Sequence, residues 1–355
     1  MTNERHSDPS AQDTQRTQTR LAAGALLLPI FFAGLFALCI IGVYHKPHPR
    51  DIKVAVVGPP AQTAPLVAGL SRAGGAAFDI RRAATVAGAT RDVRRRDLDA
   101  ALVPTADPKR PATAIVATGG GRLVAKASED FLRAAVATQG AQLVVRDVRP
   151  LAPGDALGLG IFMFVIVCTI GGYIAATVLA TVAPDLRPGR RYPLIAAVAI
   201  VMPTLAYLIA GLGFGTYTGS FGTILAFIAV GAFYTFVVAL VTRLLQPLLG
   251  PPALFVSLTI FVFLNIPSLG ATYTRPLLPG FWQFIHDFWI GAAAVDAERG
   301  LLYFGGLDVG TALLRMLAWT VVVVALVLVP LSRPRLRSSV DTKGTSSWRA
   351  STTTS

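Results

Sequence analysis

Residues 157–183 read LGLGIFMFVIVCTIGGYIAATVLATVA, an apolar run that contains no charged residue. About 20 apolar residues are enough for a helix to cross the hydrocarbon core of a bilayer. Over the whole chain of 355 residues, 53% are hydrophobic and only 14% are charged, whereas soluble domains carry about 25% charged residues. The run therefore predicts a membrane-spanning helix, and the composition argues against a purely cytosolic enzyme.

Five further runs of this kind lie elsewhere in the chain, and only the last of them contains a charge. A Lys, Arg or Asp at the middle of a membrane costs ~2.5–3.5 kcal/mol on insertion scales, so uncharged runs are what a spanning helix requires. The one exception, Arg315, is close to an end of its run, and we expect it to be a structural anchor. The six predicted spans are residues 21–43, 157–183, 194–214, 219–242, 253–274 and 309–331.

Lys and Arg residues in the short segments set the predicted orientation, because they favour the cytoplasmic side. Twelve fall on one side and two in the opposite short loops, so we expect a multi-pass protein of the plasma (inner) membrane with both termini cytoplasmic. The predicted fold is an α-helical integral membrane protein with six transmembrane helices and a small extracytoplasmic α/β domain between helices one and two. The predicted parts are a cytoplasmic disordered tail at 1–20, an uncleaved signal-anchor helix at 21–43, the α/β domain at 44–156, a five-helix membrane domain at 157–331 with an outer interfacial loop at 270–308, and a cytoplasmic basic disordered tail at 332–355.

The predicted α/β domain carries much of the charge of the chain and differs sharply from the apolar runs around it. Helical periodicity predicts a helix at 122–138. Both cysteines, Cys39 and Cys168, lie in apolar runs, so no disulfide can form inside this domain. Short Val-, Ile- and Ala-rich runs bounded by Gly or Pro predict strands at 52–57, 77–82, 98–103, 113–118 and 142–147.

Two motifs in this domain suggest binding. Gly119-Gly120-Gly121 lies between a predicted strand and a predicted helix, where backbone N–H groups either cradle a phosphate or form a plain flexible turn. Its spacing matches neither the dinucleotide nor the P-loop fingerprint. Arg94-Arg95-Arg96 is either a docking patch for an anionic lipid or a wall polymer, or a solvated helix face with local ion pairs.

Patterns for catalysis and for cofactor binding are missing from the sequence. It contains no GxxxxGK[ST] motif, no GxSxG turn and no HExxH motif. For His45 and His48, interfacial loop histidines are favoured over a metal site. We therefore expect no enzyme activity, no cofactor and no metal. The net charge of +13 suits an anionic surface, and the apolar runs indicate that this surface is the lipid bilayer rather than nucleic acid.

Uncharged polar groups repeat every four residues along the second predicted span. They are Thr169, Tyr173, Thr177 and Thr181. We expect this stripe either to line a polar path for an amphiphile or to serve interhelical hydrogen bonding. An ion-coupled secondary transporter ranks lower, because such proteins place ionisable residues deep within their spans and only Arg315 qualifies.

The loop at 270–308 is too long for a simple connector and is rich in aromatic residues. Its Phe and Trp residues predict short interfacial helices. We expect Trp282, Trp289 and Tyr303 to lie at the outer membrane surface, since Trp and Tyr favour the headgroup level. Anchoring and substrate contact are the two roles open to them.

Five short motifs accompany this layout: NIPSLG at 265–270, LLPGFW at 277–282, AERG at 297–300, YFGG at 303–306 and DAALVP at 99–104. The order of one span, a large outer domain and five further spans, together with these motifs, resembles the type-two ATP-binding-cassette export permeases. The similarity is to the branch that contains the bacterial phage infection protein and its actinobacterial relatives.

The resemblance implies the permease-like membrane subunit of an exporter for hydrophobic or amphiphilic compounds, driven by a separate ATPase. The cytoplasmic link at 184–192 would then contact that ATPase. Six spans are few for a pathway, so a homodimer is expected. The alternative is a non-transporting envelope membrane protein whose outer domain binds a partner or a cell-wall polymer. The link residues that would contact the ATPase are Asp185, Arg187, Arg190 and Arg191.

Overall fold

A computed structural model of the chain describes residues 9–46, 49–105, 107, 109–250 and 252–332. The first helix, α1 (Pro9–Phe36), continues through a π-helical segment into α2 (Gly42–Tyr44). Residues 9–20 are therefore helical, although the sequence predicts a disordered tail there. A helix is costly to nucleate but cheap to extend, so the helix of the apolar segment continues into the polar residues that precede it. The tail predicted at 332–355 lies outside the described residues after Ser332.

The α/β domain contains five strands and three α-helices within the described ranges. All five predicted strands are present, with ends that move by at most two residues, and the helix predicted at 122–138 is confirmed. The strands are β1 (Ile52–Val57), β2 (Phe78–Ala83), β3 (Ala100–Val103), β4 (Ala112–Val116) and β5 (Leu143–Asp147). The helices are α3 (Pro60–Gly74), α4 (Val86–Arg94) and α5 (Arg122–Ala137).

The strands form one sheet in the order β2-β1-β3-β4-β5. β1 is parallel to β2 and β3, β4 is antiparallel to β3, and β5 is parallel to β4. Side chains alternate between the two faces of a strand, so Val54 and Val56 belong to one core and Ala55 and Val57 to another. Helices α3 and α5 cover the first of these faces.

The second face of the sheet packs against α4 and against the apolar helices that follow the α/β domain in the chain. Ala101 and Ile115 of the sheet belong to the same buried cluster as Phe164, Phe227 and Phe304 of the helical part. The small side chains on this face allow a close approach. The α/β domain thus shares a core with the helical part.

The helical part contains eight more α-helices within the described residues. They are α6 (Gly160–Val182), α7 (Pro188–Ala206), α8 (Phe221–Leu249), α9 (Ala253–Leu258), α10 (Asn265–Ser268), α11 (Gly280–Phe288), α12 (Ile290–Tyr303) and α13 (Val309–Ser332). A π-helical segment, Tyr207–Leu212, extends α7, and another, Thr259–Leu264, joins α9 to α10. Helix α8 is central, since it packs against α6, α7, α9, α12 and α13.

Five helices among the described residues are long and apolar enough to cross a membrane, which is compatible with a multi-pass membrane protein. The fifth predicted span, at 253–274, is different. It forms the shorter apolar helix Ala253–Ser268, which at 1.5 Å per residue is about 24 Å long, less than the ~30 Å of a hydrocarbon core. The five long helices are Arg16–Tyr44, Gly160–Val182, Pro188–Leu212, Phe221–Leu249 and Val309–Leu326.

Candidate functional site on helix α12

Helix α12 lies inside the helical bundle and not at its surface. It packs against α6, α8 and α13, and Ala292, Ala293 and Ala294 are fully buried. A Cβ on Gly291 would lie 2.0 Å from Oδ1 of Asn265, so only glycine fits there. Small residues let helices approach closely in membrane proteins, and this run of Gly and Ala brings α12 into the bundle.

The interfacial interpretation of the loop at 270–308 fits α11 but is wrong for α12. Phe281, Phe284 and Phe288 of α11 are exposed on its surface, as expected for a helix that faces lipid. Trp289 and Tyr303, which begin and end the α12 region, are instead buried in protein. In the sequence, the charged residues of α12 are typical of a solvated loop. The arginines Arg96 and Arg315 that pair with Asp296 are distant from it in the chain, so the sequence does not show the pairing.

Asp296 of α12 is surrounded by three arginines. Its carboxylate lies 3.6 Å from Nη2 of Arg96, 3.3 Å from Nη2 of Arg315 and 3.9 Å from Nη1 of Arg299. Arg299 is almost fully buried and also donates to the carbonyl oxygens of Gly270 and Ala271, at 3.1 and 2.7 Å. Buried charges persist where they are paired and hydrogen-bonded, which holds for Asp296 and Arg299. The cluster as a whole has an excess of positive charge, and Nε and Nη2 of Arg315 have no hydrogen-bond partner among the described residues.

The Asp296 cluster joins the two parts of the molecule. Arg96 follows α4 of the α/β domain, has a left-handed backbone conformation with φ of 63° and lies with its guanidinium 5.6 Å from the ring centre of Phe304. The predicted basic patch at 94–96 is therefore divided, because Arg96 is used in the contact with α12. Arg315 was expected to be a simple anchor near the interface, and the structure pairs it with Asp296 instead.

The three glycines at 119–121 are part of the same junction. A Cβ on Gly119 would lie 2.7 Å from Cγ of Tyr303, and a Cβ on Gly121 would lie 2.6 Å from Cγ2 of Thr274. One of the two expected roles of these glycines was to bind a phosphate. Tyr303 and Thr274 of the helical part occupy the space that such a phosphate would need. The glycines serve close packing between the two parts.

Glu298 points away from the Asp296 cluster, since two residues along a helix turn by about 200°. Its side chain is 0% exposed, and neither carboxylate oxygen has a hydrogen-bond partner in the described part of the chain. Arg299 of the same helix, Cys168 of α6 and Tyr234 of α8 lie within electrostatic range of this carboxyl group. Burial raises the pKa of Glu298 well above its usual value, against a smaller opposing effect of Arg299, so the carboxyl group keeps its proton. A buried polar group without a hydrogen bond still costs ~1–3 kcal/mol, so packing alone does not account for Glu298.

A hydrogen-bond network lies in the bundle beside α12 and includes the first residue of the predicted polar stripe. The Thr169 hydroxyl is 2.9 Å from the Tyr234 hydroxyl, and Asn265 Nδ2 donates to the same hydroxyl at 2.9 Å. The indole N–H of Trp289 donates to Asn265 Oδ1 at 2.8 Å. All four side chains are buried, so the network connects α6, α8, α10 and the start of α12.

The other stripe residues have local partners. The hydroxyls of Thr177 and Thr181 each donate to the carbonyl four residues earlier, at 2.9 and 3.0 Å. The Tyr173 hydroxyl is 3.5 Å from the carbonyl oxygen of Leu254. Hydrogen bonding within and between helices is therefore the observed role of these groups, and a polar path along them stays a prediction.

The predicted ATPase-contact link is shorter than its sequence range, because α7 already begins at Pro188. Proline is favoured in the first turn of a helix, so Arg190 and Arg191 belong to that turn. Asp185, Arg187 and Arg190 are exposed, whereas Arg191 is partly buried and donates to the carbonyl of Pro184 at 2.8 Å. Among the described residues, no hydrogen bond or ion pair joins these four residues to α12.

Three of the family-like motifs meet at α12. Residues 297–300 contain Glu298 and Arg299, residues 303–306 contain Tyr303, and residues 265–270 supply Asn265 and the Gly270 carbonyl. The sequence indicated these segments only as short motifs, and the run of small residues before Asp296 was the signal of a buried helix. Among the described residues no group of three or more His, Cys, Asp or Glu side chains could hold a metal ion.

Compared with family models, with curated proteins and with solved structures, the chain matches none of them. The resemblance to export permeases therefore stays a prediction from the layout and the short motifs. The function has to be argued from the site itself.

Proposed function

We propose that this protein is the permease-like membrane subunit of an exporter for hydrophobic or amphiphilic compounds, driven by a separate ATPase. The observation that carries the proposal is the complete burial of Glu298 on α12, which packs against α6, α8 and α13, three helices long and apolar enough to cross a membrane. Ionisable residues within membrane helices are expensive, and they mark substrate and ion pathways. Helices that only anchor a domain need no such residues.

Glu298 is the most informative of these residues. Asp296 and Arg299 take part in the cluster that joins the α/β domain to the helical part, so a structural need explains them. Glu298 has no such partner, and it lies next to the central helix α8. A helix bundle that rearranges during transport would give this carboxylate a partner in another conformation, or contact with a polar group of the substrate.

The energy source proposed for the exporter lies outside this chain, because the sequence has no P-loop motif. Asp185, Arg187 and Arg190 are exposed and have no ion-pair partner among the described residues, so they are free to bind another protein. A contact with an ATPase subunit on the cytoplasmic side is the role that we propose for this link. Two copies of the chain would complete the pathway.

One observation favours the alternative, a non-transporting envelope protein. The α/β domain is fixed to α12 through Arg96 and Gly119, as suits a domain that is presented in one orientation to a partner or a cell-wall polymer. This function accounts for the Asp296 cluster. It does not account for the unpaired Glu298.

The test compares efflux of a lipophilic fluorescent dye and copurification of an ATPase from mild detergent. We expect Glu298→Gln to abolish efflux while leaving the amount of protein and its ATPase partner unchanged. We expect replacement of the four link residues Asp185, Arg187, Arg190 and Arg191 by Ser to abolish both efflux and copurification.

The matched control for the link variant is Arg335→Ser with Arg337→Ser, which removes the same net charge of two on the same predicted side. This control should keep both properties. Normal efflux in the Glu298→Gln variant, together with no ATPase bound to the parent protein, would reject the exporter and favour the envelope protein.

A further inference from the structure

A pocket of about 720 Å³ lies between the α/β domain and the loop that joins α12 to α13. Its polar wall consists of five arginines from α4 and from the end of the sheet. They are Arg91, Arg94, Arg95, Arg146 and Arg149. This volume is typical of pockets that hold small ligands.

The positive charge of this pocket is almost uncompensated. Arg91 is paired with Asp92 at 3.6 Å, and none of the other four arginines has an ion pair in the part of the chain that the structure describes. The nearby carboxylate of Asp147 instead accepts hydrogen bonds from the Thr118 hydroxyl and from backbone N–H groups. Several like charges held around one cavity raise the local concentration of anions.

One pocket arginine has an unused donor. Nε of Arg149 is shielded from solvent and has no hydrogen-bond partner among the described residues. Guanidinium groups match the geometry of phosphate oxygens, to which they donate paired hydrogen bonds. The polar wall of the pocket is therefore suited to a phosphate group.

Another part of the pocket wall is apolar. It contains Val86 of α4 together with Phe304 and Leu307. Leu307 lies in the turn two residues before Val309, where the last helix of membrane-spanning length begins. The pocket is thus next to the end of a helix long enough to cross a membrane, which is where lipid headgroups lie when such a helix spans a bilayer, and its wall combines arginines with apolar side chains.

We infer that this pocket binds the phosphate headgroup of an anionic phospholipid in the leaflet on the side of the α/β domain. The arginines select net negative charge, so a zwitterionic lipid, whose phosphate carries a quaternary ammonium, binds less well. The apolar part of the wall and the adjacent end of a helix of membrane-spanning length favour a lipid over a soluble phosphate. The inference is independent of whether the chain transports anything.

The test uses the full chain purified in a neutral detergent and titrated with short-chain phosphatidylglycerol or phosphatidylcholine, with bound lipid counted by native mass spectrometry. We expect phosphatidylglycerol to bind more tightly than phosphatidylcholine. A hydrogen bond to a charged group contributes ~1.5–3 kcal/mol, so the double variant Arg95→Gln with Arg146→Gln should bind phosphatidylglycerol at least about tenfold more weakly.

The matched control is Arg72→Gln with Lys109→Gln, which removes two exposed positive charges from the same domain outside the pocket. It should keep the parent affinity. Equal binding by parent and pocket variant, or equal binding of the two lipids, would overturn the inference. Competition by inorganic phosphate or by a soluble glycerol phosphate polymer at least as strong as that of the lipid would assign the pocket to a soluble anion and would also overturn it.

Discussion

Asp296 and Glu298 are two residues apart on the same buried helix, yet their surroundings are opposite. Asp296 faces the α/β domain and has three arginines within 3.3 to 3.9 Å. Glu298 faces the helical core and has no hydrogen-bond partner within the described residues. The carboxylate of Asp296 joins two parts of the molecule. The burial of Glu298 carries a desolvation cost that no hydrogen bond among the described residues offsets. The difference separates a structural charge from one that we assign to function.

The largest effect is expected from Asp296→Asn, which leaves three guanidinium groups without their shared counter-charge. Removing one partner of a buried ion pair costs ~3–5 kcal/mol, and because Arg96 and Arg315 are partly exposed we expect about 3 kcal/mol of lost unfolding free energy. The thermal unfolding midpoint in mild detergent measures it. Asp308→Asn, at an exposed position with φ of 61° that Asn also adopts, is the control and should change little. Equal stability of both variants would remove the structural role from Asp296.

Replacing Glu298 is expected to raise the unfolding free energy, in contrast to replacing Asp296. Removing a buried polar group that has no hydrogen-bond partner recovers its desolvation cost of ~1–3 kcal/mol, so Glu298→Met should raise the unfolding free energy by about 2 kcal/mol, while the proposed efflux is lost. The same detergent melting experiment measures the stability. A destabilised Glu298→Met protein would show that this carboxylate has an important structural partner, and the contrast with Asp296 would disappear.

A smaller loss is expected from Gly119→Ala, which tests whether shape contributes to the junction beside charge. The new Cβ would lie 2.7 Å from Tyr303, and overpacking of this kind costs ~1–3 kcal/mol. We expect about 1.5 kcal/mol and faster limited proteolysis between the two parts. Adding Tyr303→Ala should restore part of the loss, as coupled neighbours do. Gly69→Ala, where a Cβ meets nothing within 4 Å, is the control, and an equal loss there would contradict the close-contact explanation.

The smallest effect is expected at an exposed carboxylate, Asp287. Arg275 donates to it from Nε and Nη2 at 2.6 and 2.8 Å, and this guanidinium holds the pKa of Asp287 below its usual value. The stabilisation is therefore present above a pH of about 4 and is lost as the pH falls through the lowered pKa. About half of each side chain is exposed, so the pair contributes about 0.5 kcal/mol.

Asp287→Asn should accordingly lower the unfolding midpoint slightly at pH 7 and not at all at low pH. Unfolding midpoints of the parent and the variant, measured between pH 3 and 7, show whether the two curves converge in acid. A difference that stays constant across this range would show that the hydrogen-bond geometry, and not the charge of Asp287, is what matters.

Local sequence patterns determined much of this protein. Alternating Val, Ile and Ala residues bounded by Gly and Pro predicted β1 at its observed ends, and the other four strands within two residues, because strand formation depends on side-chain spacing and on nearby chain breakers. Uncharged runs predicted the four longest of the span-length helices, because the length of an apolar run is also a property of residues that are close in the sequence. The run at 253–274 was overestimated, because apolar composition does not show where a helix ends.

Which charged residues are buried and which are paired became clear only from the tertiary structure. Asp296, Glu298 and Arg299 resemble a solvated loop in the sequence, since the partners of a charge lie anywhere along the chain. Burial by α8 and α13 and the approach of Arg96 from the α/β domain made one carboxylate a structural link and left the other unpaired. The same holds for Gly119, whose missing side chain acquires its significance only when Tyr303 packs against it. The periodicity of apolar residues depends only on residues that are close in the sequence. Charge pairing and burial depend on contacts between residues that are distant in the sequence, and these contacts form only in the folded chain.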